Sequence, residues 1–355
     1  MQRSNGRGGL RWSLKKIGIV SLSLGILGED FVAHERHLGL QRLKAMGLEV
    51  VFLPNALNGC KDLKAHPEKR AADLLAAFAD DSIDLILCAI GGDDTYRLLP
   101  YLFENNQLAK VATQKPFLGF SDTTMNHLML HKLGLHTFYG QAFLPDICEL
   151  SAEMLPYTKN YFAELVESGR ITQITPSELW YTERTDFSEA GLGLAMQSHP
   201  NQGFEHLSGP PIFQGKILGG CLESLYSLFD RTKHPDTVQV CQQYHLFPSL
   251  KEWQGKILLL ETSEEKPDPR LFRRMIVTLK DHGLFDVISG LLVGKPQNET
   301  YYQDYKTILL EELGPKGLPI LANINVGHAT PRCIIPFGIE ALVDADKQVI
   351  TFQWD

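Results

Sequence analysis

The chain has 355 residues, 44% hydrophobic and 21% charged, with 30 Gly and 19 Pro, an ordinary globular composition long enough for two domains with separate cores. Its 42 acidic residues outnumber 34 basic ones, a formal net charge of −8 spread along the chain. That balance excludes a phosphate-binding surface as the main feature, so neither nucleic acid nor an anionic membrane is expected as partner.

The opening MQRSNGRGGLRWSLKK is basic and precedes the apolar IGIVSLSLGILG. The pairing imitates a secretory signal. No A-x-A-like cleavage site follows, and KKIGIV reads as a first strand, leaving the first dozen residues as a flexible arm. No apolar run approaches the ~20 residues of a membrane span. The six cysteines (Cys60, Cys88, Cys148, Cys221, Cys241, Cys333) are widely spaced, without CxxC or other metal-binding spacing. Reduced thiols in a cytoplasmic protein are expected.

Strand and helix signals alternate through the first third. KIGIV (16–20) is followed by a helical stretch near 30–46, LEVVFL (48–53) by another over 61–79. IDLILCAI (83–90) is a continuous apolar run, as a central parallel strand requires, and ends at Gly91-Gly92 before the helical DDTYRLLPYL. FLGF and a helix over 122–133 repeat the arrangement. The pattern predicts an α/β fold whose N-terminal domain (1–168) is an open parallel sheet of flavodoxin or Rossmann type. A further helix is expected at 152–168. Residues 169–212 are polar, with Pro176, Pro200, Pro210 and Pro211, and read as a connection with long loops. Residues 213–355 read as a mixed α/β, strand-rich C-terminal domain, with strands in GKILGG, GKILLLET, VISGLLVGK, LPILANINVGH and the closing CIIPFGIEALVDADKQVITFQ.

Ligands of open α/β sheets gather beyond the carboxyl ends of the strands. Four turns there carry chemistry. In FLGFSDTT, Ser121 follows an apolar run and opens a helix; it reads either as a helix cap or as an exposed nucleophile in a G-x-S-x-G elbow that lacks its last Gly. Gly91-Gly92 serves a tight turn, or offers unshielded amides to an oxyanion. Glu261 ends an apolar strand, as a helix-start charge or as a catalytic carboxylate. His328 stands in the loop NVGHATPR, as an ordinary loop histidine or as a base. His127 and His131 have i,i+4 spacing without an acidic third ligand and read as positions along a helix. Together the turns supply a nucleophile, a carboxylate, a base and an amide pair in the order Ser…Glu…His, the set required for acyl transfer from serine.

The motifs AIGGDDTYRLLPYL, GFSDTT, GKILGGCLESL, GKILLLETSEE and NVGHATPR, in this order, resemble the serine peptidases of the LD-carboxypeptidase type, with the microcin C immunity peptidases as a subgroup. The resemblance runs from about residue 15 to the C-terminus. It implies Ser121 as nucleophile, His328 as general base and Glu261 as its orienting partner, assembled across a domain interface, with the amides of Gly92 and Asp122 as oxyanion hole. It further implies a cytoplasmic homodimer with no metal or organic cofactor. The substrate is either a murein tetrapeptide, cut at an LD-peptide bond in cell-wall recycling, or a peptidyl-nucleotide amide. IGGDD and PSELWYTERTDF look more like the second subgroup. Gly91, Asp93, Trp180, Phe204 and Cys221 are the candidate substrate contacts, Trp180 or Phe204 as a platform for a base. Three departures stand out: Phe120 replaces Tyr, Phe103 replaces Asp, and Cys221 replaces the Asn of a GGN segment. The rival from another class is a non-catalytic two-domain protein binding a peptide or nucleotide; a Ser121-to-His328 separation within about 4 Å distinguishes hydrolase from binder.

Overall fold

The structure is a computed structural model and describes residues 13–354; the expected N-terminal arm lies outside the described residues. The apolar runs of the first third form the strands Lys16–Val20, Glu49–Phe52, Leu85–Cys88, Phe117–Gly119 and Thr137–Tyr139. They pair in parallel in the spatial order 2-1-3-4-5, the flavodoxin-type arrangement, whose crevice lies where the first and third strands diverge. Leu85–Cys88 is buried throughout, as its unbroken apolar sequence demands.

The helical stretch expected over 61–79 is two helices, Gly59–Ala65 and Pro67–Ala79. The break falls at His66, whose φ −128 and ψ 68 show the bias of a residue before proline away from the helical region. Pro156 likewise starts its helix at the first position, so Pro156–Ser168 begins four residues later than expected.

The second sheet has eight strands, in the order Gln173–Ile174, Val349–Gln353, Glu340–Asp344, Ile212–Cys221, Ile257–Glu261, Gly290–Gly294, Ile320–Ile324 and Glu205–Ser208. The long strand Ile212–Cys221 joins its two halves. Ile212 to Lys216 pair antiparallel with Glu340–Asp344, whereas Ile217 to Cys221 pair parallel with Ile257–Glu261. Two strands of the connecting region therefore close the edges of this sheet. In the other direction, Ile335–Phe337 crosses to the first sheet and pairs antiparallel with Thr137–Tyr139. One hydrophobic cluster runs through both sheets, which holds the carboxyl ends of the first sheet against those of the parallel half of the second. Among the described residues, no helix is long and apolar enough to cross a membrane.

Candidate active site

Ser121 follows the strand Phe117–Gly119 and opens a 3-10 turn, Ser121–Thr123, that leads into the helix Thr124–His131. Its φ is +65, a left-handed backbone that a serine adopts only where its surroundings hold it there. The capping reading fails at this point. The side chain of Ser121 caps neither the turn nor the helix; the hydroxyl points to His328 Nε2 at 3.0 Å. Gly91 is required beside it, since a Cβ there would lie 2.6 Å from Ser121 Oγ and 3.2 Å from the Asp122 nitrogen.

Glu261 is the last residue of Ile257–Glu261 and is 1% exposed. Its Oε2 lies 2.7 Å from His328 Nδ1 and accepts the His328 backbone N–H at 3.1 Å. A carboxylate can only accept, so an imidazole proton sits on Nδ1, and in its neutral form the ring presents Nε2 as an acceptor to the Ser121 hydroxyl. Glu261 and His328 can approach because Gly327 separates them: its φ is +83, and a Cβ there would meet Glu261 Oε2 at 2.2 Å.

The imidazole is held on every side. Phe120 packs edge-on against it with ring centroids 5.2 Å apart, so this side chain has a packing role. The Arg332 guanidinium lies 5.0 Å from the Phe120 ring centroid, bonds the carbonyls of Gly327 and His328, and pairs with buried Asp146 at 3.0 Å. Glu264 Oε2 stands 3.0 Å from Nε2 as a second carboxylate. Burial opposes a charge on His328, but Glu261 and Glu264 outweigh it and raise the pKa to about 10.

Asp122 is buried, and its carboxylate serves the scaffold. Oδ2 accepts from Ser23 Oγ at 2.6 Å and from the Thr95 N–H and hydroxyl at 2.9 and 2.7 Å, tying together loops that follow three different strands. Burial pushes its pKa up. The Asp122 amide lies in the first turn of a helical segment, where N–H groups lack an intrahelical acceptor. Gly92 has φ +152 and no room for a side chain, with Ser23 Oγ 2.2 Å from where a Cβ would be. Arg70, fully buried, holds this turn by pairing with Asp94 at 2.5 Å.

The remaining candidates are distributed unevenly. Asp93 is exposed at the Gly91-Gly92 turn, 3.7 Å from Lys233 and 3.5 Å from His234. Cys221 is buried in register with Glu261; its N–H donates to Thr124 Oγ1 at 3.0 Å and its thiol faces Glu223 Oε2 at 3.5 Å. Glu223 Oε1 in turn accepts the Ser263 N–H and hydroxyl at 2.9 and 2.6 Å, anchoring the loop that carries Glu264. Trp180 is half-buried on the hairpin of Leu179–Tyr181 and Ser198–Pro200, stacked on its cross-strand neighbour His199 at 4.1 Å. The Tyr181 N–H donates to the Thr330 carbonyl, fastening that hairpin to the His328 loop. Phe204 departs from expectation: it is 5% exposed and part of the core, so it offers no stacking face. Phe103 packs near Tyr244, ring centroids 6.3 Å apart.

His127 is fully buried, bonded to Thr137 Oγ1 and the Gly119 carbonyl, and burial pushes its pKa down to about 3. No group of metal-ligating side chains occurs among the described residues. Sequence reasoning missed two contributors. Glu264 is visible only as one of several acids after Glu261, and Tyr139, whose hydroxyl meets Glu261, ends an unremarkable strand TFY.

A serine hydroxyl, an imidazole and a buried carboxylate in hydrogen-bonded series, above the carboxyl ends of parallel strands, are the equipment of a serine hydrolase. The N-terminal domain of LD-carboxypeptidases matches residues 17–140 and their C-terminal domain residues 214–343; the chain belongs to the LD-carboxypeptidase family. It is 64% identical to an MccF-like protein from Streptococcus pneumoniae solved in complex with AMP, with a TM-score of 0.95 over 96% of this chain and 99% of that one. It is 26% identical to the microcin C7 self-immunity protein MccF of Escherichia coli, over 80% of this chain and 78% of that protein. To a Bacillus subtilis protein named "Probable murein peptide carboxypeptidase" it is 27% identical, over 87% and 84%.

Proposed function

We propose that the chain hydrolyses the amide bond of a small peptidyl-nucleotide by acylation of Ser121, with His328 as general base and Glu261 as its orienting partner. The observation that carries this reading is the series Ser121 Oγ, His328, Glu261, linked at 3.0 and 2.7 Å. That separation is within the ~4 Å expected of a working pair in a site without substrate, which favours hydrolysis over binding alone.

In the proposed reaction Ser121 Oγ attacks the carbonyl carbon while its proton passes to Nε2. Glu261, accepting from Nδ1–H, stabilises the imidazolium. The Nε2 proton then goes to the departing nitrogen; a water deprotonated by His328 Nε2 attacks the acyl carbon, and Ser121 Oγ leaves with that proton, releasing the acid. The amides of Gly92 and Asp122 are assigned to the oxyanion; the close approach of the Gly91-Gly92 turn to Ser121, where a Cβ on Gly91 would stand 2.6 Å from Oγ, and the first-turn position of Asp122 support this.

The nucleotide end of the substrate rests on the 64%-identical relative solved with AMP, and on half-buried Trp180, whose hairpin is fastened to the His328 loop. A second reading, the LD-peptide bond of a murein tetrapeptide, is supported by the Bacillus subtilis relative's name. The deciding experiment offers the purified chain murein tetrapeptide, aspartyl sulfamoyl adenosine and glutamyl sulfamoyl adenosine, and measures released product. Cleavage of the sulfamoyl adenosines alone supports the first reading; cleavage of the tetrapeptide alone replaces it with the second. Ser121→Ala should abolish turnover of whichever is cut, and a purified variant that still hydrolyses it removes the nucleophile assignment.

A further inference from the structure

Tyr139 ends the strand Thr137–Tyr139 and is wholly buried, its ring stacked on Phe337 with centroids 5.2 Å apart and 14° between planes. Packing alone would account for the ring. It does not account for the hydroxyl, which lies 2.6 Å from Glu261 Oε1 and 3.1 Å from the Ser121 nitrogen. Glu261 can only accept, so the phenol proton points to Oε1, and a phenol oxygen lone pair receives the Ser121 N–H. Burial and the adjacent Glu261 push the phenol pKa well up, so the proton remains in place to be donated.

These contacts close a ring. The Ser121 N–H donates to Tyr139, Tyr139 to Glu261 Oε1, His328 Nδ1–H to Glu261 Oε2, and, with His328 neutral as the base requires, Ser121 Oγ–H to His328 Nε2. Ser121 opens the turn after one strand of the first sheet and Tyr139 ends another, Glu261 ends a strand of the second sheet, and His328 lies in the loop after its strand Ile320–Ile324. The ring therefore fixes the nucleophile and the carboxylate relative to each other across the junction of the sheets.

We infer that Tyr139 is a positioning residue for the hydrolysis proposed above: its single hydroxyl holds the backbone of Ser121 in its left-handed conformation and turns Glu261 so that Oε2 faces His328. This rests on Ser121, His328 and Glu261 acting as proposed. Removing the hydroxyl leaves two buried groups, the Ser121 N–H and Glu261 Oε1, without the partner each has here, and frees both to shift.

The test is Tyr139→Phe, which keeps the ring and its stacking, in the full chain, labelled with a fluorophosphonate that acylates active serines. The maximal labelling rate should fall about tenfold, the scale of one hydrogen bond lost from the transition state. The half-saturating probe concentration, the final labelled fraction and the melting temperature should stay near wild type. A wild-type rate overturns the inference. So does a reduced labelled fraction with an unchanged rate per labelled molecule, the result of a purely structural role. In a Glu261→Ala background Tyr139→Phe should cost less than it does in the wild type, because one of its two contacts is already gone; a full additional tenfold loss overturns the inference as well. Failure of the underlying reading shows differently, as undiminished labelling of Ser121→Ala.

Discussion

The carboxylate of Glu264 and the hydroxyl of Ser121 each lie 3.0 Å from the same nitrogen, Nε2 of His328. A neutral imidazole bearing its proton on Nδ1 has one lone pair at Nε2 and can accept from the serine but not bind a carboxylate. The contact with Glu264 therefore belongs to the imidazolium, whose Nε2–H the two oxygens share, in keeping with a pKa raised to about 10. His328 acts as a base only in its neutral form, above its pKa.

Glu264→Gln removes one of the two charges that raise this pKa, so the acidic limb of the pH profile of kcat/KM should move to lower pH, and turnover at neutral pH should rise. Glu264 is 64% exposed, so solvent screens the pair and the shift should be below about one pH unit. A limb at the wild-type position in a complete pH–rate profile shows that Glu264 is uncoupled from the base.

Gly327→Ala tests the approach of Glu261 to His328. The position has φ +83, and the new Cβ would stand 2.2 Å from Glu261 Oε2. Backbone strain of this type costs about 1–3 kcal/mol, and displacing the carboxylate by about 1 Å should cost up to about 100-fold in kcat. Thermal melting and steady-state kinetics report the two effects separately. Wild-type kcat in the folded variant would show that this contact does not set the geometry.

Arg332 binds the loop of His328 to the segment after Thr137–Tyr139 through Asp146, both side chains being at most 5% exposed. Arg332→Ala leaves the Asp146 carboxylate buried without its partner and should destabilise the protein by about 3–5 kcal/mol in denaturant unfolding. Arg332→Lys should recover only part of this, since one ammonium cannot reach Asp146 and the carbonyls of Gly327 and His328 together. A loss below about 1 kcal/mol for Arg332→Ala would mean that water takes over the pair.

Trp180 already carries His199 against its ring at 4.1 Å and the Lys295 ammonium 5.1 Å from the ring centroid. If it also stacks a base, as proposed, Trp180→Ala should weaken AMP binding by about 1–3 kcal/mol in calorimetry. Unchanged affinity removes Trp180 from the nucleotide site.

Much of this protein is legible in one dimension because the strand period and the apolar runs act locally. The alternation of the first third determines a parallel sheet, and a polar residue ending each apolar run falls by construction on the carboxyl edge, where Ser121 and Glu261 indeed stand; Gly327 and the loop it opens mark His328 in the same way. What lies outside local pattern needed the tertiary structure. Phe204 reads as a loop aromatic but is buried, its backbone bonded to Gln348 between the two closing strands, because exposure depends on what packs over a residue. Tyr139 has nothing in TFYG to distinguish it; its hydroxyl matters only because Glu261, 122 residues on, ends a strand of the other sheet beside it. Whether Ser121 caps a helix or faces His328 was likewise undetermined by FLGFSDTT, since both uses require the same residue at the same turn. Hydrogen bonds between sheets settle its direction, and those depend on how the two sheets meet over their shared core, a relation that no stretch of sequence encodes by itself.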